Sequence, residues 1–210
     1  MEYAALFSGG KDGVYAVYLA QREYNVKYLI TLKTTIGLSP HYENLSAIDK
    51  MARNMNKEIR IFDMANKNFA QFIKSLNVSG IIGGDIYLEE HLKWIEKLAK
   101  EAGVKAIEPL WKKDSLSLVK EMINEGFAYS VIAVDKSKLS KEWLGYTFEN
   151  SKDVDKFVKE NPSIDPAGEG GEFHTVVLNC PIFEKGMKLK VDRTCESERY
   201  HYLKFDLEVI

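Results

Sequence analysis

Residues 8–13 read Ser8-Gly9-Gly10-Lys11-Asp12-Gly13, and the layout of the rest of the chain follows from them. An apolar run, Tyr3-Ala4-Ala5-Leu6-Phe7, precedes them and is long enough for one buried strand. Val14, Val17, Tyr18 and Gln21 follow at helical spacing. A glycine-rich turn between a buried strand and a helix is a cradle for phosphate. Its glycines let the backbone approach an anion, successive N–H groups point inward, and the helix N-terminus adds a partial positive charge. Lys11 offers a cation to the same anion. Asp12 would repel phosphate unless a divalent cation lay between them. The stretch is therefore expected to bind a polyphosphate through Ser8, Gly9, Gly10, Lys11, Asp12 and Gly13, with Asp12 as the magnesium ligand. It is not the G-x-x-x-x-G-K-[ST] phosphate loop, whose spacing it lacks.

The chain has 210 residues, enough for one large α/β domain or one domain with a small appendage. Its 45% apolar and 29% charged content is that of a soluble globular protein. A formal charge of −2 argues against a broad nucleic-acid face. No apolar run approaches the roughly 20 residues of a membrane helix, and no basic, cleavable leader is seen, so the cytoplasm is expected. Cys180 and Cys195 form no C-x-x-C and are expected to be reduced.

Strand and helix patterns then alternate. Val26 to Leu32 reads as a strand, followed by a polar loop from Lys33 to Pro40 containing Gly37. A helix is expected from about Tyr42 to Asn56, with Leu45, Ile48, Ala52 and Met55 as its apolar stripe; His41 at its entrance could face a ligand, and is expected rather to be a partly exposed cap-region residue. Lys57 to Asp63 reads as a strand and Asn66 to Leu76 as a short helix. Gly80-Ile81-Ile82-Gly83-Gly84-Asp85-Ile86 is a short strand ended by two glycines. In open parallel sheets, ligands sit beyond the carboxyl ends of the strands. Gly83 and Gly84 would leave room for a nucleotide there, and Asp85 would help hold magnesium, order the loop or cap the next helix. Leu88 to Ala102 is the best-patterned helix, with His91 and Trp94 off its stripe and Gly103 closing it. A fifth strand at Val104 to Ile107, a helix capped by Asp114, and a sixth strand from Phe127 to Val134 complete the alternation. The fold class is α/β: a parallel sheet with helices on both faces.

Beyond Asp135 the pattern changes. Lys136 to Asn150 reads as a connecting segment, and a short helix is expected from Asp153 to Glu160. Gly168-Glu169-Gly170-Gly171-Glu172-Phe173-His174-Thr175 is the second concentration of chemistry. Glycines around paired acids suit a backbone that passes close to a ligand while carboxylates point at it. Glu169 and Glu172 could position ammonia, bind a cationic group or share a metal, and His174 could move a proton. After this motif the period becomes two. Met187, Leu189 and Val191, then Leu203, Phe205, Leu207 and Val209, alternate with polar residues as in an antiparallel pair. Two domains are expected: 1–135, which binds the nucleotide, and a smaller β-rich unit, 136–210, which carries the second motif.

Ser-Gly-Gly-Lys-Asp resembles the pyrophosphate loop of the ATP pyrophosphatases, S-G-G-x-D-S, with Gly13 in place of the last serine. Residues 168–175 resemble the G-E-[GN]-G-E-[FY]-x-T signature of one branch of that family, the diphthine–ammonia ligases. Gly84-Asp85-Ile86, Glu90 to Glu96, Pro109-Leu110-Trp111 and Pro181-Ile182-Phe183 match further tracts in the family's order. The resemblance implies an adenine nucleotide α-hydrolase-like fold and the use of ATP with Mg2+. It also implies adenylation of the diphthine carboxylate on translation elongation factor 2. Attack by ammonia would then release AMP and complete diphthamide. In that reaction Lys11, Asp12, Glu169, Glu172 and His174 would serve catalysis. Ser8 to Gly13, Gly83, Gly84, Asp85, Gly171 and Thr175 would hold the nucleotide. The partners implied are ATP or AMP, ammonia and the elongation factor, with no membrane and no nucleic acid; a homodimer is one option for assembly. The alternatives are another ATP pyrophosphatase activity, such as tRNA modification, and an ATP or AMP sensor without chemistry.

Overall fold

A computed structural model describes residues 1–33, 39–66 and 68–210. Residues 34–38, the middle of the polar loop read between Lys33 and Pro40, lie outside the described residues. Five strands form the first sheet: β1 (Glu2–Leu6), β2 (Asn25–Lys33), β3 (Glu58–Asp63), β4 (Gly80–Ile82) and β5 (Lys105–Ile107). They are all parallel, in the order β3-β2-β1-β4-β5. Alternate residues of the central strands supply two separate cores. Ala4, Ile30 and Ile81 pack with Ile73 of α3 (Phe69–Ser75) and with Ile95 and Leu98 of α4 (Glu89–Ala102). Ala5, Leu29 and Ile82 pack on the opposite face with α1 (Lys11–Ala20), α2 (Leu45–Asn54) and α5 (Ser115–Asn124). This two-residue period gives helices on both faces, as the alternating pattern implies. The Tyr42 end of the expected second helix is a 3-10 turn, Tyr42–Asn44. Asp114 caps α5 by accepting the Ser117 N–H at 2.8 Å, as its position suggests.

The strand order reverses direction at β1, which lies between β2 and β4. The crevice at such a switch point, outside the carboxyl ends of the strands, is where an α/β sheet takes its ligand. Residues 8–13 leave β1 there, and Gly83-Gly84-Asp85 leaves β4 there.

The second sheet corrects one expectation. The strand at 127–134 does not extend the parallel sheet. It is β6 (Ala128–Asp135), which pairs antiparallel with β7 (Thr147–Phe148), β8 (Phe173–Asn179) and β10 (Tyr200–Val209); β10 in turn pairs antiparallel with β9 (Met187–Glu196). The helix-then-strand pattern is the same whichever sheet receives the strand. Val131, Ile132, Ala133 and Val134 are fully buried, so they read like an interior parallel strand. An expected boundary at 135 would separate β6 from its own sheet. We place the division instead in the segment between β5 and α5. The connecting segment contains β7, and α6 (Ser151–Glu160) opens with a capping box at Asn150 and Asp153.

The two sheets share one core. Val14 and Val17 of α1 belong to the same buried cluster as Val131, Val176 and Phe205. Backbone continuity adds to it, because the Val177 N–H donates to the Gly9 carbonyl at 3.0 Å. Among the described residues no helix is long and apolar enough to cross a membrane.

Candidate functional site

A cavity of about 740 Å³ opens at the switch point. Its walls come from four places in the sequence: residues 6–8 and 10–13, the end of β2 with Ser39 and His41, the β4–α4 connection with His91 and Trp94, and residues 167–169, 171 and 173–175. The two glycine-rich motifs, separated by more than 150 positions in the chain, therefore line one chamber.

The loop at residues 8–13 has the features of an anion cradle. The helix α1 begins at Lys11 with Gly10 as its N-cap, which has no side chain to cap it, so that the N–H groups after Lys11 keep no local capping partner. Its first turn thus presents N–H groups and the positive end of the helix dipole to the chamber. Lys11 is 1% exposed. Its ammonium donates to Asp12 Oδ2 at 2.8 Å and to the Ala167 carbonyl, and it lies 5.5 Å from the centre of the Phe173 ring. Its backbone N–H donates to Thr175 Oγ1 at 3.1 Å. The second motif therefore holds one lysine at both ends, through the Ala167 carbonyl just before it and the hydroxyl of Thr175, its last residue. Burial pushes the Asp12 carboxyl up, while the Lys11 ammonium pulls it down. Asp12 Oδ1 is enclosed and has no hydrogen-bond partner. A buried carboxylate oxygen without a donor, beside a phosphate cradle, fits a cation ligand. Magnesium is commonly held by one or two carboxylates together with substrate phosphates, so a single protein ligand suffices.

Gly84 sets how closely β4 approaches this loop. A Cβ there would lie 3.1 Å from the Asp12 carbonyl carbon and oxygen and 3.2 Å from Gly13 Cα, all backbone atoms. Gly83 leaves the space that the Glu108 carboxyl fills. Glu108 Oε2 accepts the Asp85 N–H at 3.2 Å, and Oε1 is buried without a partner. Burial, with Asp85 nearby, pushes Glu108 up to about 8. Asp85 meets His91 Nδ1 at 2.9 Å. Glu169 Oε1 accepts the Ile86 N–H at 2.9 Å, so the second motif is tied to the β4–α4 connection. Its carboxyl is raised by burial, and Asp12 and Asp85 add to that.

On the far wall, His41 Nε2 lies 2.9 Å from the Thr175 carbonyl, and its ring meets the His174 ring edge-on at 5.4 Å. Burial lowers His41 to about 4 and His174 to about 3. Both rings are neutral at physiological pH. A proton-carrying role for His174, expected from its ordinary pKa, loses its basis in this environment.

Of the residues singled out from the sequence, Ser8, Gly10, Lys11, Asp12, Gly13, Gly84, Asp85, Glu169, Gly171, His174 and Thr175 line the chamber. Gly9, Gly83 and Glu172 do not. Gly9 turns with φ +85° and gives its carbonyl to β8. Glu172 points toward Lys138, with Oε1 3.6 Å from the ammonium. His41 is 7% exposed rather than a partly exposed cap residue. The Ala167 carbonyl was not legible as a site group, nor was Glu108, which stands outside the chamber lining and supports Asp85 from behind. Glu108 stands at the carboxyl end of β5, a position the switch-point rule could have singled out. A backbone carbonyl carries no sequence signal.

Comparison with known proteins gives a consistent answer. A family model described as the diphthamide synthase N-terminal domain matches residues 1–106, and one described as the diphthamide synthase C-terminal domain matches residues 114–208. They meet in the segment between β5 and α5, where the two sheets divide. A diphthine–ammonia ligase of Schizosaccharomyces pombe is 33% identical over 95 residues, covering 45% of this chain and 16% of that protein. One from Danio rerio is 27% identical over 122 residues, covering 58% of this chain and 47% of its own length. The Homo sapiens protein of the same name is 28% identical over 116 residues, covering 55% and 43%. The chain thus matches about half or less of the length of these curated relatives. Among solved structures, one described as a predicted subunit of tRNA methyltransferase from Methanocaldococcus jannaschii aligns with 86% of this chain and 98% of its own at 14% identity. Its TM-score is 0.45, too low to bear on function.

Proposed function

The chain belongs to the diphthamide synthase family, and from that premise we propose that it is an ATP-dependent, amide-forming ligase acting on diphthine in translation elongation factor 2. A carboxylate and ammonia do not form an amide at neutral pH without activation. ATP supplies it by transferring AMP to the carboxylate and releasing pyrophosphate. Ammonia then displaces AMP. The observation that carries this reading is the convergence of both glycine motifs on one chamber, with the buried Lys11 ammonium between them.

Each residue has a role that its environment supports. The first turn of α1 beyond the Lys11 N–H, which Thr175 takes, and the loop N–H groups bind the β and γ phosphates. Lys11 counters the charge that grows on the α phosphate and the departing pyrophosphate, and its burial strengthens that effect. Asp12, with its unpartnered Oδ1, would hold magnesium, which when bound neutralises phosphate charge. Gly84 and Asp85 close the β4 side of the nucleotide. Glu169, whose carboxyl is raised by burial, takes the proton that ammonium must lose before nitrogen can attack. Glu172 and His174 shape the segment that carries Glu169.

Sulfur transfer to RNA is less well supported. Cys180 is buried, and its thiol is pushed up to about 12, so it is a poor nucleophile. The direct test supplies ATP, ammonium and elongation factor 2 with or without diphthine. AMP and pyrophosphate should form together only with the modified factor. Equal turnover with the unmodified factor would remove the ligase assignment.

A further inference from the structure

We propose that His41 is a positioning residue: its ring N–H fixes the separation of the phosphate loop from β8, and so sets the loop's donors for the chemical step. The inference rests on the ligase reading above. It concerns a residue that belongs to neither glycine motif.

Three contacts carry it. His41 Nε2 lies 2.9 Å from the Thr175 carbonyl, which can only accept, so Nε2 bears the proton. The hydroxyl of the same Thr175 accepts the Lys11 N–H at 3.1 Å. One residue is thus held from both sides, by His41 through its backbone and by the first residue of α1 through its side chain. The third contact is Gly10. A Cβ there would lie 3.3 Å from the Thr175 carbonyl oxygen and 3.4 Å from His41 Nε2, so the histidine, the threonine and the loop meet at one point.

The ring suits this work because it does not titrate where the protein operates. Enclosure holds it neutral, and the edge of the His174 ring packs against it. A lysine or arginine would place a second cation near Lys11, and an aliphatic residue would leave the Thr175 carbonyl without its donor. The imidazole gives a fixed donor at a fixed reach. Adenylation needs its phosphate donors within a fraction of an ångström, whereas ATP affinity is spread over many contacts. Loss of the brace should therefore fall on turnover more than on ATP binding.

The test compares His41→Gln, His41→Asn and His41→Leu. Glutamine can put an N–H donor where Nε2 stands; asparagine is too short, and leucine has no donor. AMP release, the KM for ATP, and amide exchange at Lys11 and Val177 are measured, with urea unfolding to verify folding. Leucine and asparagine should lower kcat by about tenfold or more with KM within about threefold. They should also speed exchange at Lys11 by about tenfold. Glutamine should return both to within about threefold of the parent. Should the leucine variant fail to fold, Gly10→Ala replaces it, since its methyl wedges the same contact and should speed Lys11 exchange similarly. Glutamine behaving like leucine, or Lys11 exchange unchanged in leucine and in Gly10→Ala, would overturn the proposal. If the parent protein releases no AMP with the modified factor, the ligase reading fails. Exchange still decides the role of His41 in that case.

Discussion

Replacing Gly84 by alanine adds one methyl group where the segment after β4 packs against the first turn of α1. That methyl would lie 3.1 Å from the Asp12 carbonyl carbon and oxygen and 3.2 Å from Gly13 Cα, whereas ordinary contact begins at 3.4 Å. One partner must retreat by a few tenths of an ångström. The obstacle is helix backbone and cannot rotate away as a side chain can. The helix start is held by the Thr175 hydroxyl at 3.1 Å from the Lys11 nitrogen, and β4 is paired on both sides with β1 and β5. Overpacking of this kind costs about 1–3 kcal/mol. On the ligase reading the retreat would also displace the Lys11 and Asp12 backbone from the phosphates it is proposed to hold, and small misplacements of catalytic groups cost on the order of 10- to 100-fold in rate. Urea unfolding measures the first effect, and AMP release at saturating ATP measures the second. The expected variant is folded, destabilised within that range, and slower in turnover by more than its stability loss explains. A variant with the parent's midpoint and the parent's turnover would refute the claim that β4 and the phosphate loop meet this closely.

Gly13→Ser should be accepted, because the nearest atom to a Cβ there is the Leu6 carbonyl oxygen at an ordinary 3.7 Å. Removing a glycine from the first turn of α1 should raise stability by about 0.5 kcal/mol in urea unfolding without lowering AMP release; a loss of both would contradict the open space. Glu108→Gln should change how stability depends on pH. The folded carboxyl is raised to about 8 from an unfolded value of 4.5, so the folded state holds an extra proton between those values. Stability from this group is complete below the unfolded value and is lost as pH rises through about 8. The slope is at most about 1.4 kcal/mol per pH unit, reduced because the group is partly open to solvent. Unfolding at several pH values between these limits should show that slope in the parent and its loss in Glu108→Gln; parallel curves would remove the assignment. Glu169→Gln should keep ATP binding and pyrophosphate release while amide formation falls by about 10²- to 10⁴-fold, as loss of a general base does. Simultaneous loss of pyrophosphate release would place Glu169 in nucleotide binding instead.

The parts of this protein legible in its sequence are those set by local rules. The run before Ser8, the glycines after it and the helical spacing from Val14 each depend on neighbours a few residues away, and β1, the loop and α1 appear where those neighbours put them. The alternation near the C-terminus was readable in its middle, since Leu203, Phe205 and Leu207 point inward and Lys204, Asp206 and Glu208 do not, but Val191 and Val209, read on the same apolar face, are exposed near the strand ends. What could not be read is which sheet a strand joins. Nothing in the buried run from Val131 to Val134 distinguishes a sixth parallel strand from the centre of a second, antiparallel sheet. The site hangs on that choice. β6 pairs Val131 with Thr175 and Val134 with Phe173, with an irregularity between, and this register turns the Thr175 hydroxyl toward the Lys11 N–H. A slip of one residue would exchange the faces of β8, presenting His174 or Val176 to the loop and removing both the acceptor for Lys11 and the carbonyl for His41. The second glycine motif therefore meets the first through the pairing of a strand that belongs to neither. Register in β6 is as much a determinant of the chamber as any residue that lines it.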